Sequence, residues 1–136
     1  MDSVCWKATW DELERISRTN SRSVQALTAS RCLTIVARHR RGDVPASRVG
    51  VFLIQAANLA TLEFVLQEDP GSLESDQRER VKFLLDAYAK EPLMEIADED
   101  KVLLDDSAYL LEDRDNEEAT DVFLRACSLV PVPANA

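Results

Sequence analysis

Histidine is almost absent from this sequence, since His39 is the only one in 136 residues. A Ser–His–acid relay would depend on that single side chain, and the chain contains no G-x-S-x-G turn to expose a serine nucleophile. The three glycines stand apart, at positions 42, 50 and 71, so no glycine-rich loop could hold a phosphate group. These absences predict that the protein is not an enzyme and has no cofactor.

Cysteine is also scarce, and Cys5, Cys32 and Cys127 lie far apart in the chain. No two of them have the C-x-x-C spacing of a metal site, and an odd number does not suit a disulfide framework. Reduced thiols are typical of the cytosol, and the first ten residues lack the charged and apolar regions of a secretory signal. We therefore expect a cytoplasmic protein without a bound metal.

Glycine and proline, which interrupt helices, number only three and five. No stretch alternates apolar and polar residues for long enough to predict a strand, whereas apolar residues recur at helical spacing. Two such stripes are Val81, Leu84, Leu85 and Tyr88, and Val122, Phe123, Ala126, Cys127 and Val130. The sequence therefore predicts an all-α fold with a single helical domain at 1–130 and a flexible tail at 131–136.

Capping and turn residues predict where the helices begin and end. In the first half we expect a helix that begins at a capping box of Thr9 and Glu12 and ends at about Arg18. A second helix should begin at Asn20 or Ser21, extend to about Arg41 and be ended by Gly42. A third should extend from Pro45 to about Gln67. In the second half we expect helices from about Leu73 to Lys90, from about Asp98 to Glu112 and from Asn116 onward, with Asp69-Pro70-Gly71 and Pro92 as breaks. The short connections predict a bundle of five or six mostly antiparallel helices.

The third predicted helix, at about 45–67, is apolar on nearly all sides, which places it at the centre of the bundle. Its apolar run is long, but it contains amide and carboxylate side chains such as Gln55 and Glu63. A buried helix is therefore a better interpretation than a membrane span. Gln55 and Asn58 lie one turn apart, and they either bond each other, the backbone or water, or act as polar specificity groups in the core.

The two halves of the chain carry opposite charge. Residues 1–50 have a net charge of +4 and residues 51–136 have −13, which gives −9 in total. An acidic protein is repelled by the phosphate backbone, so general nucleic-acid binding is disfavoured. The sequence RHRR at the end of the second predicted helix is more typical of a basic helix end than of a nucleic-acid site. The overlapping RGD at Arg41–Asp43 is too short to predict cell adhesion.

The most acidic stretch runs from Ala97 to Asp121 and contains eleven carboxylates and only two cations. If Asp113 is taken as the start of a calcium-binding loop, Glu118 stands where glycine is needed for the turn. Leu124 stands where the last bidentate ligand is needed. The stretch therefore predicts no EF-hand site.

On a continuous helix over residues 98–113, carboxylates seven residues apart would form two lines that flank Val102 and Tyr109. Like charges four residues apart weaken a helix by roughly a few tenths of a kcal/mol per pair, and Glu112 and Asp113 would lie at its negative end. One interpretation is a solvated helix face on which Tyr109 packs against a neighbouring element. A locally unfavourable face with an aromatic centre is, however, typical of an interface. We therefore expect a partner-binding site formed by Asp98, Asp105, Asp106, Tyr109, Glu112, Asp113 and Asp115.

This pattern favours a small acidic monomer that docks onto a basic protein surface as an inhibitor, an immunity protein or an adaptor. Its partner would be a nuclease, a toxin or another nucleic-acid enzyme. One alternative is a homo-oligomeric assembly protein in which the basic N-terminal half pairs with the acidic C-terminal half of another copy. A second alternative is a regulatory protein that binds nucleic acid through the basic helix end at Arg31–Arg41. No membrane partner is expected.

Overall fold

The computed structural model describes residues 3–130 and contains six α-helices joined by short connections. They are α1 (Ser3–Thr19), α2 (Val24–Arg40), α3 (Ala46–Glu68), α4 (Ser75–Lys90), α5 (Asp98–Asp105) and α6 (Asp113–Cys127). Two short 3-10 turns, Pro70–Ser72 and Ser107–Leu110, follow α3 and α5. Residues 3–130 contain no strand, so the predicted all-α bundle is confirmed. The flexible tail predicted at 131–136 lies outside the described residues.

Helix α3 lies at the centre, as expected from its composition. It packs against α2, α4, α5, α6 and the second 3-10 turn, while α2 also packs against α1 and α6. Leu53, Leu59 and Leu62 on α3 are fully buried. At 23 residues α3 is long and apolar enough to cross a membrane, a test that core helices of soluble proteins also pass. Here its apolar residues form the middle of the core.

The first helix begins earlier than predicted. Thr9 was expected to cap its start, but α1 already extends from Ser3 and Thr9 lies inside it. The Thr9 hydroxyl donates to the carbonyl oxygen of Cys5, four residues back, at 3.0 Å. The capping-box prediction was therefore wrong, because a threonine hydroxyl can bond the preceding turn as readily as it caps a new one.

The ends of α1 and α6 are held together. The indole nitrogen of Trp6 donates to the carbonyl oxygen of Leu129 at 2.9 Å, across 123 residues of chain. Trp6 also stacks on Trp10, with ring centroids 5.3 Å apart, and the Arg40 guanidinium lies 4.0 Å from the Trp6 ring centroid. These contacts join α1, α2 and α6 at one point.

Helix α2 is capped by Ser23 rather than by Asn20 or Ser21. The Ser23 hydroxyl accepts from the backbone N–H of Ala26 at 3.1 Å, in the geometry of a serine N-cap. Asn20 instead accepts from the N–H of Arg22 in the preceding turn. The other end matches the prediction, since Gly42 has a φ of 86° and stops the helix in the left-handed conformation.

The predicted fifth helix is the largest error of the sequence analysis. Helix α5 ends at Asp105 instead of Glu112, and α6 begins at Asp113 instead of Asn116. Between them the chain makes a 3-10 turn in which Ser107 is buried, and Leu110 and Leu111 pack against the core. Helical periodicity in one sequence cannot detect this break, because it is set by packing against α3 rather than by local preference.

Polar side chains of the core are mostly bonded. Gln55 donates to the carbonyl oxygen of Met94 at 3.4 Å, which matches the backbone-bonding interpretation for this residue. Arg31 pairs with Glu63 at 2.6 Å, and the hydroxyl of Tyr88 donates to the carbonyl oxygen of Arg31 at 3.2 Å. This group connects α2, α3 and α4. Burial raises the pKa of the Tyr88 hydroxyl, so the donor remains protonated.

Adjacent leucines on α4 provide a matched test of the core. Leu84 is 3% exposed, whereas Leu85 is only partly buried. Leu84→Ala should lower the free energy of unfolding by roughly 2–5 kcal/mol. Leu85→Ala removes the same atoms and should have a clearly smaller effect, because its cavity opens to water. Urea unfolding measures both values, and equal losses would show that α4 is rotated relative to this structure.

Asp100 provides a pH-dependent test. Its buried carboxylate accepts two hydrogen bonds from Arg80, at 2.7 and 2.6 Å, which lower its pKa in the folded state. The stabilisation is therefore complete above the unfolded-state pKa of about 3.9 and disappears as the pH falls through the lower folded-state pKa. We expect Asp100→Asn to lower the free energy of unfolding at pH 7 by roughly 1.5–3 kcal/mol.

The difference between Asp100→Asn and wild type should shrink as the pH is lowered below about 4, since the wild-type carboxylate then protonates as well. Asp98→Asn makes the same chemical change at an exposed position of the same helix turn and should be nearly neutral. Chemical unfolding at several pH values measures both. A loss that stays constant down to pH 2 would contradict the assignment.

Candidate functional site

The seven residues of the predicted site lie on three successive elements. Asp98 and Asp105 are the first and last residues of α5, and Asp106 follows it. Tyr109 is in the 3-10 turn, Glu112 is the N-cap of α6, and Asp113 and Asp115 are in its first turn. All are exposed except Asp115, which is partly buried.

Four of these residues lie together around the 3-10 turn, and we call Asp106, Tyr109, Glu112 and Asp113 the Tyr109 turn. The backbone N–H of Tyr109 donates to the carbonyl oxygen of Asp106 at 3.1 Å. Glu112 is three residues further along, a span of roughly 10 Å at most. The Tyr109 side chain is 87% exposed, more than any other large hydrophobic residue of the described chain. An aromatic side chain therefore projects into water among three carboxylates.

The predicted residues do not share one face. Asp105 lines a groove between α3 and α5 together with Ile54 and Asn58, whereas Asp106 lines a cleft between α4 and α5. Asp115 lies beside the N-terminal end of α2. The two continuous acidic lines predicted along residues 98–113 do not exist, because the chain turns after Asp105.

Helix ends account for much of the acidity. Asp98, Glu99 and Asp100 are in the first turn of α5, and Glu112, Asp113 and Asp115 surround the start of α6. Carboxylates are favourable at these positively polarised ends. Glu112 and Asp113 were expected at the negative end of a helix, and this was wrong. Because Glu112 and Asp113 lie at a positive helix end, they are not locally unfavourable, and this reason for assigning them a function no longer applies.

The carboxylates of the Tyr109 turn nevertheless have no partner cation among the described residues. Asp98 pairs with Lys101, Glu118 with Arg114 and Asp121 with Arg125, each within 3.3 Å. By contrast, Asp106, Glu112 and Asp113 form no ion pair with any residue between 3 and 130. Three carboxylates without a partner cation in the described residues therefore lie within a few residues of one exposed aromatic side chain.

The role of Asp100 was not predicted from the sequence. It is buried, and it holds the guanidinium of Arg80 by two hydrogen bonds at the side of the cleft that Asp106 lines. This cleft has a volume of about 320 Å³, and the Arg80 guanidinium also lies 4.5 Å from the ring centroid of Phe83. Asp100 precedes Leu103 and Leu104 by one turn and so shares their core-facing side. That spacing was the available signal.

The basic helix end is largely neutralised within the fold. Arg38 contacts the carboxylates of Asp43 and Glu91 at 2.9 and 3.2 Å, and Arg41 contacts Asp43 at 3.0 Å. These guanidinium groups lower the pKa of Asp43. The RGD tripeptide is therefore closed by an ion pair between its own first and last residues. His39 donates from Nδ1 to the carbonyl oxygen of Val44 at 2.7 Å, which gives it a structural contact.

The buried cysteines provide no candidate nucleophile, and the described residues contain no candidate metal centre. Burial raises the pKa of the Cys32 thiol to about 12, and it also raises the pKa of Cys127, so both thiols are protonated and weakly nucleophilic. Within residues 3–130, no group of three or more His, Cys, Asp or Glu side chains could hold a metal ion. The segment from Asp113 to Leu124 that resembled a calcium loop is helical throughout.

Comparison with known proteins finds no relative from which a function could be inferred: no family model matches the chain, and no curated protein or solved structure matches it significantly.

Proposed function

We propose that this protein is an acidic binding module whose Tyr109 turn docks onto a basic protein surface. The observation that carries the proposal is the 87% exposure of Tyr109 among carboxylates that have no ionic partner in the described fold. An exposed tyrosine contributes nothing to the core, but it provides a large, rigid contact area to a partner. The structure of the turn does not require an aromatic residue at this position.

The proposed mechanism has two parts. The net charge of −13 in residues 51–136 attracts a basic surface over long range and speeds encounter. Tyr109 then fills a pocket on the partner, and Asp106, Glu112 and Asp113 pair with lysine or arginine side chains at its rim. Inhibition of a nucleic-acid enzyme fits this chemistry, because such an enzyme has a basic surface that an acidic protein can occlude. An adaptor role would use the same contacts.

The two parts should be separable by kinetics. We expect Tyr109→Ala to act mainly on dissociation and to weaken binding by on the order of 2 kcal/mol. Changing Asp106 and Asp113 to Asn should act mainly on association, and the effect should decrease with salt because screening acts over about 8 Å at physiological ionic strength. Affinity capture from native cells identifies the partner, and surface plasmon resonance then measures both rates.

Two exposed residues away from the turn serve as controls. Leu124→Ala removes a side chain that is 60% exposed on α6, and Asp86→Asn removes one negative charge from the exposed side of α4. Both should leave the rates close to those of wild type. If Tyr109→Ala and the Asp106/Asp113 variant bind the captured protein as wild type does, the acidic turn is only a solvated surface and the proposal is wrong.

A further inference from the structure

The central helix is not covered on all sides, contrary to the expectation from its composition. Val51 and Ile54 on α3 remain 49% and 50% exposed, and Ser47 and Gly50 beside them are also exposed. Their spacing, with Asn58 one turn beyond Ile54, is that of a single helix face. This face, which we call the α3 stripe, is an apolar surface on the helix that forms the middle of the core.

Gly50 is unexplained by the fold itself. It lies inside α3, and a methyl group added there would meet no atom within 4 Å. Among the described glycines only Gly42 has a positive φ, so Gly50 adopts no backbone conformation that requires glycine. Glycine in a helix interior destabilises by roughly 0.5–1 kcal/mol relative to alanine. Gly50 therefore costs helix stability without any benefit inside the protein. A glycine at this position would, however, allow a second backbone to approach α3 closely.

We propose that the occupant of the α3 stripe is the α3 stripe of a second copy of this chain, packed antiparallel about a two-fold axis. An axis between Val51 and Ile54 brings Val51 of one copy to Ile54 of the other. In this register Gly50 lies at the edge of the contact, on the side of the stripe away from Gln55, where the missing side chain lets the second backbone approach. The register also places Ser47 opposite Asn58, whose amide forms no hydrogen bond with the described residues.

Charges beside the stripe select this occupant. Arg48 and Asp105 are exposed, and neither forms an ion pair within residues 3–130, although the Arg48 guanidinium lies 5.5 Å from the Phe52 ring centroid. Arg48 precedes Gln55 by seven residues, so both lie on the same side of α3. Gln55 lines the groove that contains Asp105 of α5, which places Arg48 and Asp105 along one flank of the stripe.

A two-fold axis perpendicular to α3 sets this flank against the same flank of the second copy, in reversed direction. Arg48 of each copy then lies level with Ala57 of the other, one residue from Asn58, on the flank where the groove of that copy contains Asp105. The pair forms twice, as an isologous interface requires. Lys101 lies in the same groove, but it pairs with Asp98 at 3.1 Å and therefore does not neutralise Asp105. The Asp105 carboxylate thus remains available to Arg48 of the second copy. A foreign helix would have to supply both charges and a matching small residue.

The interface consists of three helical turns and two ion pairs, which is at the small end of specific interfaces. We therefore expect a weak dimer that forms as concentration rises. It does not depend on the Tyr109 turn and would exist whether or not a basic partner binds there.

Sedimentation equilibrium of the full chain over a wide concentration range tests the dimer. Wild type should shift from the monomer mass of 15.3 kDa toward twice that value. Arg48→Glu and Asp105→Arg should each weaken self-association by about tenfold, because each sets like charges against one another twice. An equimolar mixture of these two variants should form a heterodimer about as strong as the wild-type dimer, since both of its charge pairs are then opposite in sign.

Gly50→Leu separates the dimer from the fold. The monomer has open space at this position and gains helix propensity, so its melting temperature at low concentration should not fall. Self-association should be lost, because the leucine prevents close approach of the two helices. The proposal is overturned if wild type stays at the monomer mass throughout the series, if the two charge variants do not associate with each other, or if Gly50→Leu dimerises as wild type does.

Discussion

A 23-residue apolar helix must be covered by other elements if it is to remain in water, and α3 imposes this requirement on the whole chain. Helices α2, α4, α5 and α6 all pack against it, and the 3-10 turn after α5 exists because the chain must also cover α3 between α5 and α6. The other helices are nevertheless too short to cover all of α3. They bury Leu59 and Leu62, but they leave Val51 and Ile54, nearer the start of α3, about half exposed. The proposed second copy completes what one copy leaves open.

The same constraint explains how the acidic segment is arranged. Turning the chain after Asp105 creates two helix starts within a few residues, and each start accommodates negative charge. A high density of carboxylates is thus compatible with a stable fold, and only those without a helix end or an ion pair require another explanation. Of the eleven carboxylates, Asp105, Asp106 and Glu117 have neither a helix start nor an ion pair among the described residues. The two proposals use Asp106 beside Tyr109 and Asp105 beside the α3 stripe.

Sequence patterns were sufficient to predict the helical class, the central helix and the stop at Gly42, because these depend on local preference and on strong periodicity. Helix starts were predicted less well, since Thr9 and Ser23 can each bond either the preceding or the following turn. The break after Asp105 was missed because it depends on contacts with α3. For the same reason the seven predicted site residues do not all share one surface. They are close in sequence, but their relative positions depend on the turn after Asp105, which is set by tertiary packing.

The hydrogen bond from Trp6 to Leu129 has a consequence for the order in which the fold can form. During synthesis the N-terminal helix leaves the ribosome first, but its partner at Leu129 follows only after five further helices. Until then Trp6 lacks its hydrogen-bond partner, and α1 packs mainly on α2. Contacts this distant in sequence slow folding, because a long loop must close before they form. Completion of α6 therefore supplies the most sequence-distant contacts of α1.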